Sequence, residues 1–483
     1  MNQRRGLSDD AANRVDAVVV GGGIAGLVAT HTLVEDGLLP VVLEARRRCG
    51  GYLAGGNLTA EDATVRVDVG AESFAARSGA TSALVEGLGL QTAPPAALSA
   101  WGYVPGRRGA RAFPLPATGV LGIPGLPWAP DTRRAIGIGG SVRASLDSVL
   151  PADRVDTSSL AALVRSRLGS RVLDRLVTPV AGGVHSSDPA LLDVGSVAPG
   201  LLEAYHRTGS LTGAVRALRA QAPAGSAVRG VVGGMHQVVA ALVRSIEAGG
   251  GEIRRSTSAL TLRRDGDEWI VRTGPGQMLR TSRVVLAAPA RTTLGLLADL
   301  VDVEGAEPAR GTDIRLVTLL VRSLALGEAP RGTGVLVAPG TQVVAKASTH
   351  ASAKWPWLRR QLDESVGPDV HVVRFSYGRG GADSAHPAAA PEALVAQAVA
   401  DLDALYGVSD AQVLSSRVTA WDDALAPPTP ASRERTARLL DDVTALAGRG
   451  LPGITVTGAW VAGTGLAAVV PHAQNSARLL NVG

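Results

Sequence analysis

The sequence predicts an α/β protein with a discontinuous nucleotide-binding domain, a mixed-sheet second domain and a helical subdomain. Three observations carry that prediction. A strand, glycine turn, helix and strand fill Val15 to Gly51. The same α/β grammar returns at residues 231–262 and 282–290 after a long helical interval, and once more in the tail from Gly453. A parallel sheet flanked by helices is the architecture such alternation builds.

The first unit fixes the rest. Val15 to Val20 is a short β-branched run, followed at once by Gly21-x-Gly23-x-x-Gly26 and by helix-compatible Leu27 to Asp36. Val41 to Leu43 supplies the next strand, which ends on Glu44. The three glycines serve a tight turn, close approach of backbone to a pyrophosphate, and contact between helix and strand. The helix N-terminus offers free N–H groups and positive dipole to phosphates. Glu44 stands about twenty residues on, where a carboxylate accepts from ribose hydroxyls. The unit is Rossmann-like.

A chain of 483 residues has room for two or three domains, and 46% hydrophobic with 19% charged residues describes a folded globular protein. The net charge of +5 is modest for this length, and nothing in the chain points to nucleic acid. Almost every cation is arginine; lysine occurs only at Lys346 and Lys354. A single cysteine, Cys49, excludes an internal disulfide and a cysteine-rich metal site, and fits a reducing cytoplasm. MNQRRGLSDDAANR lacks the apolar centre of a signal peptide, and no uncharged apolar run approaches the roughly 20 residues of a spanning helix.

After the nucleotide unit, VRVDVGAESFAAR (65–77) begins as an alternating strand and breaks at Gly70. WGYVPGRRGARAFPLP reads as a hairpin, within the Pro-, Gly- and Ala-rich stretch 92–130 where the chain leaves the nucleotide domain. From Asp131 to about Arg219 apolar positions recur at three- and four-residue intervals; Thr157 or Ser158 is the expected cap of one helix, and Pro179 with Gly182-Gly183 the expected end of the run. Strand-like runs follow at IRLVTLLV, TGVLVAPG, TQVVAKAS and VHVVRFSYG, then helical PEALVAQAVADLDALYG. The tail gives one more strand, a glycine loop and a terminal helix. The expected division is 14–91, 225–300 and 450–483 for the nucleotide domain, 92–130 and 301–449 for the substrate domain, and 131–224 for the helical subdomain.

LEARRRCGG at 43–51, DVGAESF at 68–74, VTPVAGGVHSSDP at 177–189, VGGMHQ at 232–237, KASTHASAKWPW at 346–357, VVRFSYGR at 372–379 and GAWVAGTGL at 458–466 together resemble the protoporphyrinogen and coproporphyrinogen oxidase family, within the amine oxidase-like flavoproteins. The resemblance implies FAD as cofactor. By position it assigns FAD contacts to Gly21, Gly22, Gly23, Ile24, Ala25, Gly26, Glu44, Ala45, Arg48, Gly50, Gly51 and Tyr52. It continues through Gly70, Ala71, Glu72 and Ser73, Ala259 (where valine is usual), Trp421, Ala459, and Gly463, Thr464, Gly465 and Leu466.

The activity so implied is oxygen-dependent, six-electron oxidation of a porphyrinogen, releasing hydrogen peroxide, with coproporphyrinogen III the expected substrate. Propionates need cationic partners, and Arg107, Arg108, Arg111 and Lys354 are the candidates. SAWGYV lacks the arginine that the family pattern offers there. His185 and His472 read as hydrogen-bonded structural histidines. No side chain stands out as catalytic, and no metal site is expected. Protoporphyrinogen IX oxidation, amine oxidation, carotenoid desaturation and a flavin-binding or haem-chaperoning module without turnover remain open. Expected partners are the porphyrinogen, oxygen, and a ferrochelatase or membrane surface, with the protein cytoplasmic or peripheral on the inner face of the membrane.

Overall fold

The computed structural model describes residues 14–60, 62–76, 79–106, 108–117, 119–151, 155–221, 228–379, 390–426, 429–448 and 453–480. At its centre five strands pair in parallel in the order Glu252–Arg255, Pro40–Glu44, Ala17–Val20, Arg283–Leu286 and Gly453–Val456. Three distant stretches of chain therefore complete one sheet. Ala17–Val20 and Pro40–Glu44 are buried at every residue, which is why they read as unbroken apolar runs instead of alternating ones.

Helices Ile24–Glu35, His236–Ala248 and Leu466–Leu479 cover one face of this sheet, joining Leu27, Leu33, Leu242 and Val470 in one core. The other face carries an antiparallel sheet of Ala259–Asp265, Glu268–Thr273 and Met278–Thr281, with helices Ala290–Leu297 and Pro430–Gly448. Trp269, fully buried, anchors that side. Each such large apolar side chain contributes about 1.5–3 kcal/mol.

A second sheet has seven strands in the order Gln412–Leu425, Thr312–Arg322, Val370–Tyr377, Ala347–His350, Gly334–Val337, Ala100–Val104 and Arg111–Pro114. The 100–114 hairpin joins it by parallel pairing with Gly334–Val337. Helix Pro391–Tyr406 packs Leu394, Ala398 and Leu402 on one face. Its buried Asp401 accepts from the Val344 and Ala345 amides and the Tyr377 hydroxyl. On the opposite face Leu316, Leu320 and Val372 are buried in a further core, while Leu336, Ala347, Thr349, Arg374 and Ser376 are half-buried.

Between the hairpin and the returning nucleotide unit lie helices Pro130–Ser145, Leu160–Leu168, Thr178–His185, Leu201–Thr208 and Leu211–Gln221. A buried Arg167–Asp147 pair knots them, with Asp147 also accepting from Ser210, Leu211 and Thr212. Ile138, Val142, Leu146 and Val149 stand exposed as one ridge, near Trp128. Among the described residues no helix is long and apolar enough to cross a membrane.

Four local expectations change. Ser159, not Thr157 or Ser158, caps Leu160–Leu168 through the Ala162 amide. Pro179 does not end the helical run but sits in the first turn of Thr178–His185, directly after the π-helical segment Leu173–Val177. Gly182 and Gly183 lie inside that helix, where a Cβ on Gly183 would fall 2.6 Å from Leu336. In TQVVAKAS only Ala347 onward is strand, since the Val344 and Ala345 amides turn to Asp401. The tail is two helices, Ala459–Ala462 and Leu466–Leu479, divided by the left-handed glycines 463 and 465.

Candidate active site

The three glycines of the first turn divide their labour. A Cβ on Gly21 (φ +107°) would lie 2.7 Å from the Ala287 carbonyl oxygen, and one on Gly26 would lie 1.9 Å from the Gly21 oxygen. Both are needed for packing. A Cβ on Gly23 would meet nothing within 4 Å. Gly23 also begins helix Ile24–Glu35 with no side-chain cap on the first-turn amides. Open space above uncapped amides at a helix N-terminus suits a pyrophosphate. Glu44, buried at the tip of the adjacent strand, is aimed by two amides, Gly22 at 2.8 Å and Arg46 at 2.7 Å. Each carboxylate oxygen keeps a further lone pair for a ribose hydroxyl.

The second glycine pair closes against the first. The Gly50 amide donates to the Gly22 carbonyl at 2.8 Å, and a Cβ on Gly51 would lie 3.5 Å from the Gly23 Cα. Both glycines have positive φ. Exposed Ala45 begins the arginine turn between the two loops. Arg48 donates to the Gly51 carbonyl and stands 5.4 Å over Trp421, whose ring meets Tyr52 edge-on at 5.3 Å. Trp421 Nε1 donates to the Val69 carbonyl. A Cβ on Gly70 would lie 1.9 Å from the Tyr52 oxygen, so only glycine allows this crossing. The arginine turn, the 68–73 strip and the edge strand of the second sheet thus meet at one joint.

Charge holds the strip in place. Asp68 accepts from the Met235 and His236 amides and from the His236 ring, tying the strip to helix His236–Ala248. Arg374 donates to the Gly70 carbonyl at 2.8 Å and pairs with Glu72 at 3.0 Å, while Lys354 takes the other Glu72 oxygen. Burial pushes the Glu72 carboxyl upward, but Arg374 and Lys354 overcome it and hold the group at about 2. Ala71, Glu72 and Ser73 are half-buried beside this brace.

Ala259 starts the strand beyond Thr257, whose amide donates to the Glu44 carbonyl, so it lies near the tip of the Glu44 strand. Ala459 and the 463–465 loop are exposed, and Leu466 turns inward, where its carbonyl accepts from Thr81. His472 is hydrogen-bonded to Thr457 and Ser476, and burial lowers its pKa, in keeping with a structural role. His185 differs. Its buried Nε2 has no partner among the described residues, and burial again favours the neutral ring.

The candidate substrate cations scatter. Arg107 lies outside the described residues. Arg108 and Arg111 are exposed on the hairpin, the latter donating to the Arg134 carbonyl. Lys354 is committed to Glu72. The sequence pattern singles out neither Arg374 nor Arg379 nor Lys346 as a site residue. Lys346 is almost fully buried and donates to Ser186. Its type was the available signal, being one of two lysines in the chain.

A parallel sheet with an open glycine cradle, joined by a braced strip to a second sheet with a half-buried face, defines a dinucleotide-dependent oxidoreductase in class. Residues 24–480 match the family described as flavin containing amine oxidoreductase, and the chain belongs to that family. Its cofactor is accordingly FAD. Gly21 to Gly26 and Glu44 fit it, given the open space at Gly23 and the uncapped helix.

Among curated relatives, coproporphyrinogen III oxidase of Mycobacterium leprae (strain TN) is 28% identical over 450 residues, covering 91% of this chain and 94% of that protein. Coproporphyrinogen III oxidase of Bacillus subtilis (strain 168) is 24% identical over 463 residues, covering 93% and 94%. In fold the chain is similar to the crystal structure named "Putative protoporphyrinogen oxidase" from Exiguobacterium sp. 255-15, with TM-score 0.79, 23% identity and 98% and 99% of the chains covered. Putrescine oxidase bound to putrescine gives TM-score 0.64 at 15% identity, covering 97% and 99%.

Proposed function

We propose that this protein oxidises coproporphyrinogen III to coproporphyrin III with molecular oxygen, releasing hydrogen peroxide. The reading is carried by similarity to proteins named coproporphyrinogen III oxidase along more than nine-tenths of the chain. Six hydrogens leave the porphyrinogen in three two-electron steps, each matched by one oxygen reduced to peroxide. FAD, when bound, supplies the acceptance of a hydride in each step.

The protein's own contribution is placement. Gly21 to Gly26 would hold the pyrophosphate, Glu44 the ribose, and the Gly70 to Ser73 backbone the edge of the ring system. The Glu72–Arg374–Lys354 brace keeps that backbone from moving when a substrate enters beside it. The buried Trp421 ring fills the joint, and Tyr52 covers its outer edge. Trp421 Nε1 donates to the Val69 carbonyl and the Tyr52 hydroxyl to the Asp423 carbonyl, which fixes the two rings in place. No side chain needs to act as acid or base at the carbon.

Anaerobic mixing of the yellow protein with coproporphyrinogen III and, separately, protoporphyrinogen IX tests the reading. Flavin bleaching with the former, followed by porphyrin fluorescence on admitting oxygen, is expected. Far faster turnover of protoporphyrinogen would replace the substrate, and no bleaching with either would end the porphyrinogen reading. The exposed ridge of Ile138, Val142, Leu146 and Val149 supports residence on a membrane surface. Sedimentation with anionic liposomes checks it, and protein left wholly in the supernatant at low salt counts against it.

A further inference from the structure

Two cations and one carboxylate do not cancel. Among the described residues Glu72 is the one acid paired with Lys354 or Arg374, and the three side chains are only 12%, 16% and 13% exposed. The Glu72 carboxyl, held at about 2, is ionised throughout the neutral range. The cluster therefore sets one net positive charge against the 68–73 strip. Arg374 is in direct contact with that backbone, donating to the Gly70 carbonyl at 2.8 Å and to the Asp68 carbonyl at 3.4 Å. Asp68, the other acid of the strip, is answered on its own side by the Met235 and His236 amides at a helix N-terminus and by the His236 ring.

The strip runs on from the pyrophosphate cradle. A Cβ on Gly51 would lie 3.5 Å from the Gly23 Cα, and the next residue, Tyr52, is where Gly70 crosses. There the Ala71 amide donates to the Tyr52 carbonyl, whereas the amides of Gly70, Glu72 and Ser73 have no acceptor among the described residues. Half-buried peptide N–H groups without acceptors suit the polar edge of a bound ring system. One side of the strip thus offers donors, and the other carries the surplus charge.

Each two-electron step moves a hydride from a substrate carbon to the ring system, while the balancing proton leaves a substrate nitrogen for solvent. The ring system is neutral before that transfer and carries one negative charge after it. A fixed positive charge behind the strip favours the charged side of this equilibrium, and in a largely buried cluster solvent screens it incompletely. We infer that the Lys354–Glu72–Arg374 cluster, besides bracing the strip, sets the reduction potential of the bound flavin through its net charge. This rests on the placement of the ring system along Gly70 to Ser73 given above. Lys354 is the surplus cation, since Arg374 alone answers both the Glu72 carboxylate and the Gly70 carbonyl.

The test is the midpoint potential of the FAD-loaded protein, measured anaerobically at saturating FAD against a reference dye. Wild type is compared with Lys354→Met, Lys354→Arg and Glu72→Gln. Lys354→Met is expected to lower the equilibrium constant for reduction about tenfold, which is about 30 mV for a two-electron couple. Lys354→Arg keeps the charge and is expected to keep the wild-type potential. Glu72→Gln is expected to move the other way, to a higher potential. A brace that acts only by holding the backbone predicts shifts of one sign in Lys354→Met and Glu72→Gln, since both loosen the strip. That result overturns the inference, as does an unchanged potential in Lys354→Met. Where Glu72→Gln fails to hold FAD, Lys354→Met against Lys354→Arg decides alone. No substrate enters the measurement, so it separates from the porphyrinogen reading. Wild type bleached by coproporphyrinogen III, with a potential indifferent to Lys354→Met, removes the tuning alone. Potentials that follow the charge, in a protein that bleaches with neither porphyrinogen, support the tuning and remove the substrate reading.

Discussion

At one end of the half-buried sheet face two cations, Lys354 and Arg374, share the carboxylate of Glu72. At the other end Lys346 meets a serine hydroxyl, with Arg379 close enough to depress it further. The first cluster is complete without a ligand. It spends its charges on the protein, fixing the Gly70 carbonyl and the strip around it. At the second end Lys346 has no carboxylate partner among the described residues, and its burial costs stability. A lysine thus meets a carboxylate in one place and a hydroxyl in the other, and the acid that makes the difference for it is Glu72.

The sharpest way to break this contrast is to remove that acid. Glu72→Gln leaves two buried cations uncompensated, and a loss of about 3–5 kcal/mol is expected from urea unfolding, together with weakened FAD retention. A variant as stable as wild type would show that the brace is not one.

Acid probes the same cluster without mutation. Glu72 is held at about 2, below its unfolded value, so its contribution is intact above about 4.3 and is lost as pH falls toward 2. An earlier descent comes from His350 and His371, stacked edge-on and buried with Arg359 beside them. Burial and these neighbouring charges lower them to about 3 and about 4, against Asp369 and Asp363, which raise His371. Their stability is therefore present above about 6.5 and declines below it, by about 2 kcal/mol per histidine at pH 5. Stability measured by denaturant from pH 7.5 to 4.5 should fall in wild type and fall less in His350→Phe.

The Lys346 end gives the opposite sign. Lys346→Met should stabilise by about 1 kcal/mol at pH 7. Wild-type stability should also rise from pH 7 toward 10, because the unfolded chain holds a proton on Lys346 that the folded chain has released, and the variant should lack that rise. Smallest of all, Arg111→Gln, at an exposed arginine on the hairpin, should change stability by no more than about 0.5 kcal/mol and leave coproporphyrin affinity unaltered.

What was legible in the chain follows from the kind of constraint. Gly21, Gly26, Gly50 and Gly70 are required by backbone crossings of under 3 Å that admit no other residue, and a requirement for glycine is written in the residue itself. Glu44 follows from strand length. The Glu72 brace is different. Its members lie 282 and 302 residues apart in sequence, and any of many arginines matches the pattern equally well until register places Arg374 opposite Thr349. RRGAR presents Arg108 and Arg111 as exposed cations in the sequence, whereas the burial of Lys346, inside a valine-rich run, is set by the packing of the second sheet. Pro179 reads as a stop because the sequence carries no sign of the π-helical turn Leu173–Val177 from which the helical run continues past it.

The parallel sheet has a consequence for how the protein is made. Its edge strand Gly453–Val456 pairs with Arg283–Leu286, about 170 residues earlier. At synthesis rates of about 5–20 residues per second, Arg283–Leu286 waits roughly 10–30 s with one edge unpaired while the second sheet's strands emerge. Those newcomers are themselves rich in valine and leucine. A chaperone that shields strand edges on the ribosome, or slow codons placed to let the first sheet settle, would therefore govern yield of this protein more than any change to its final stability.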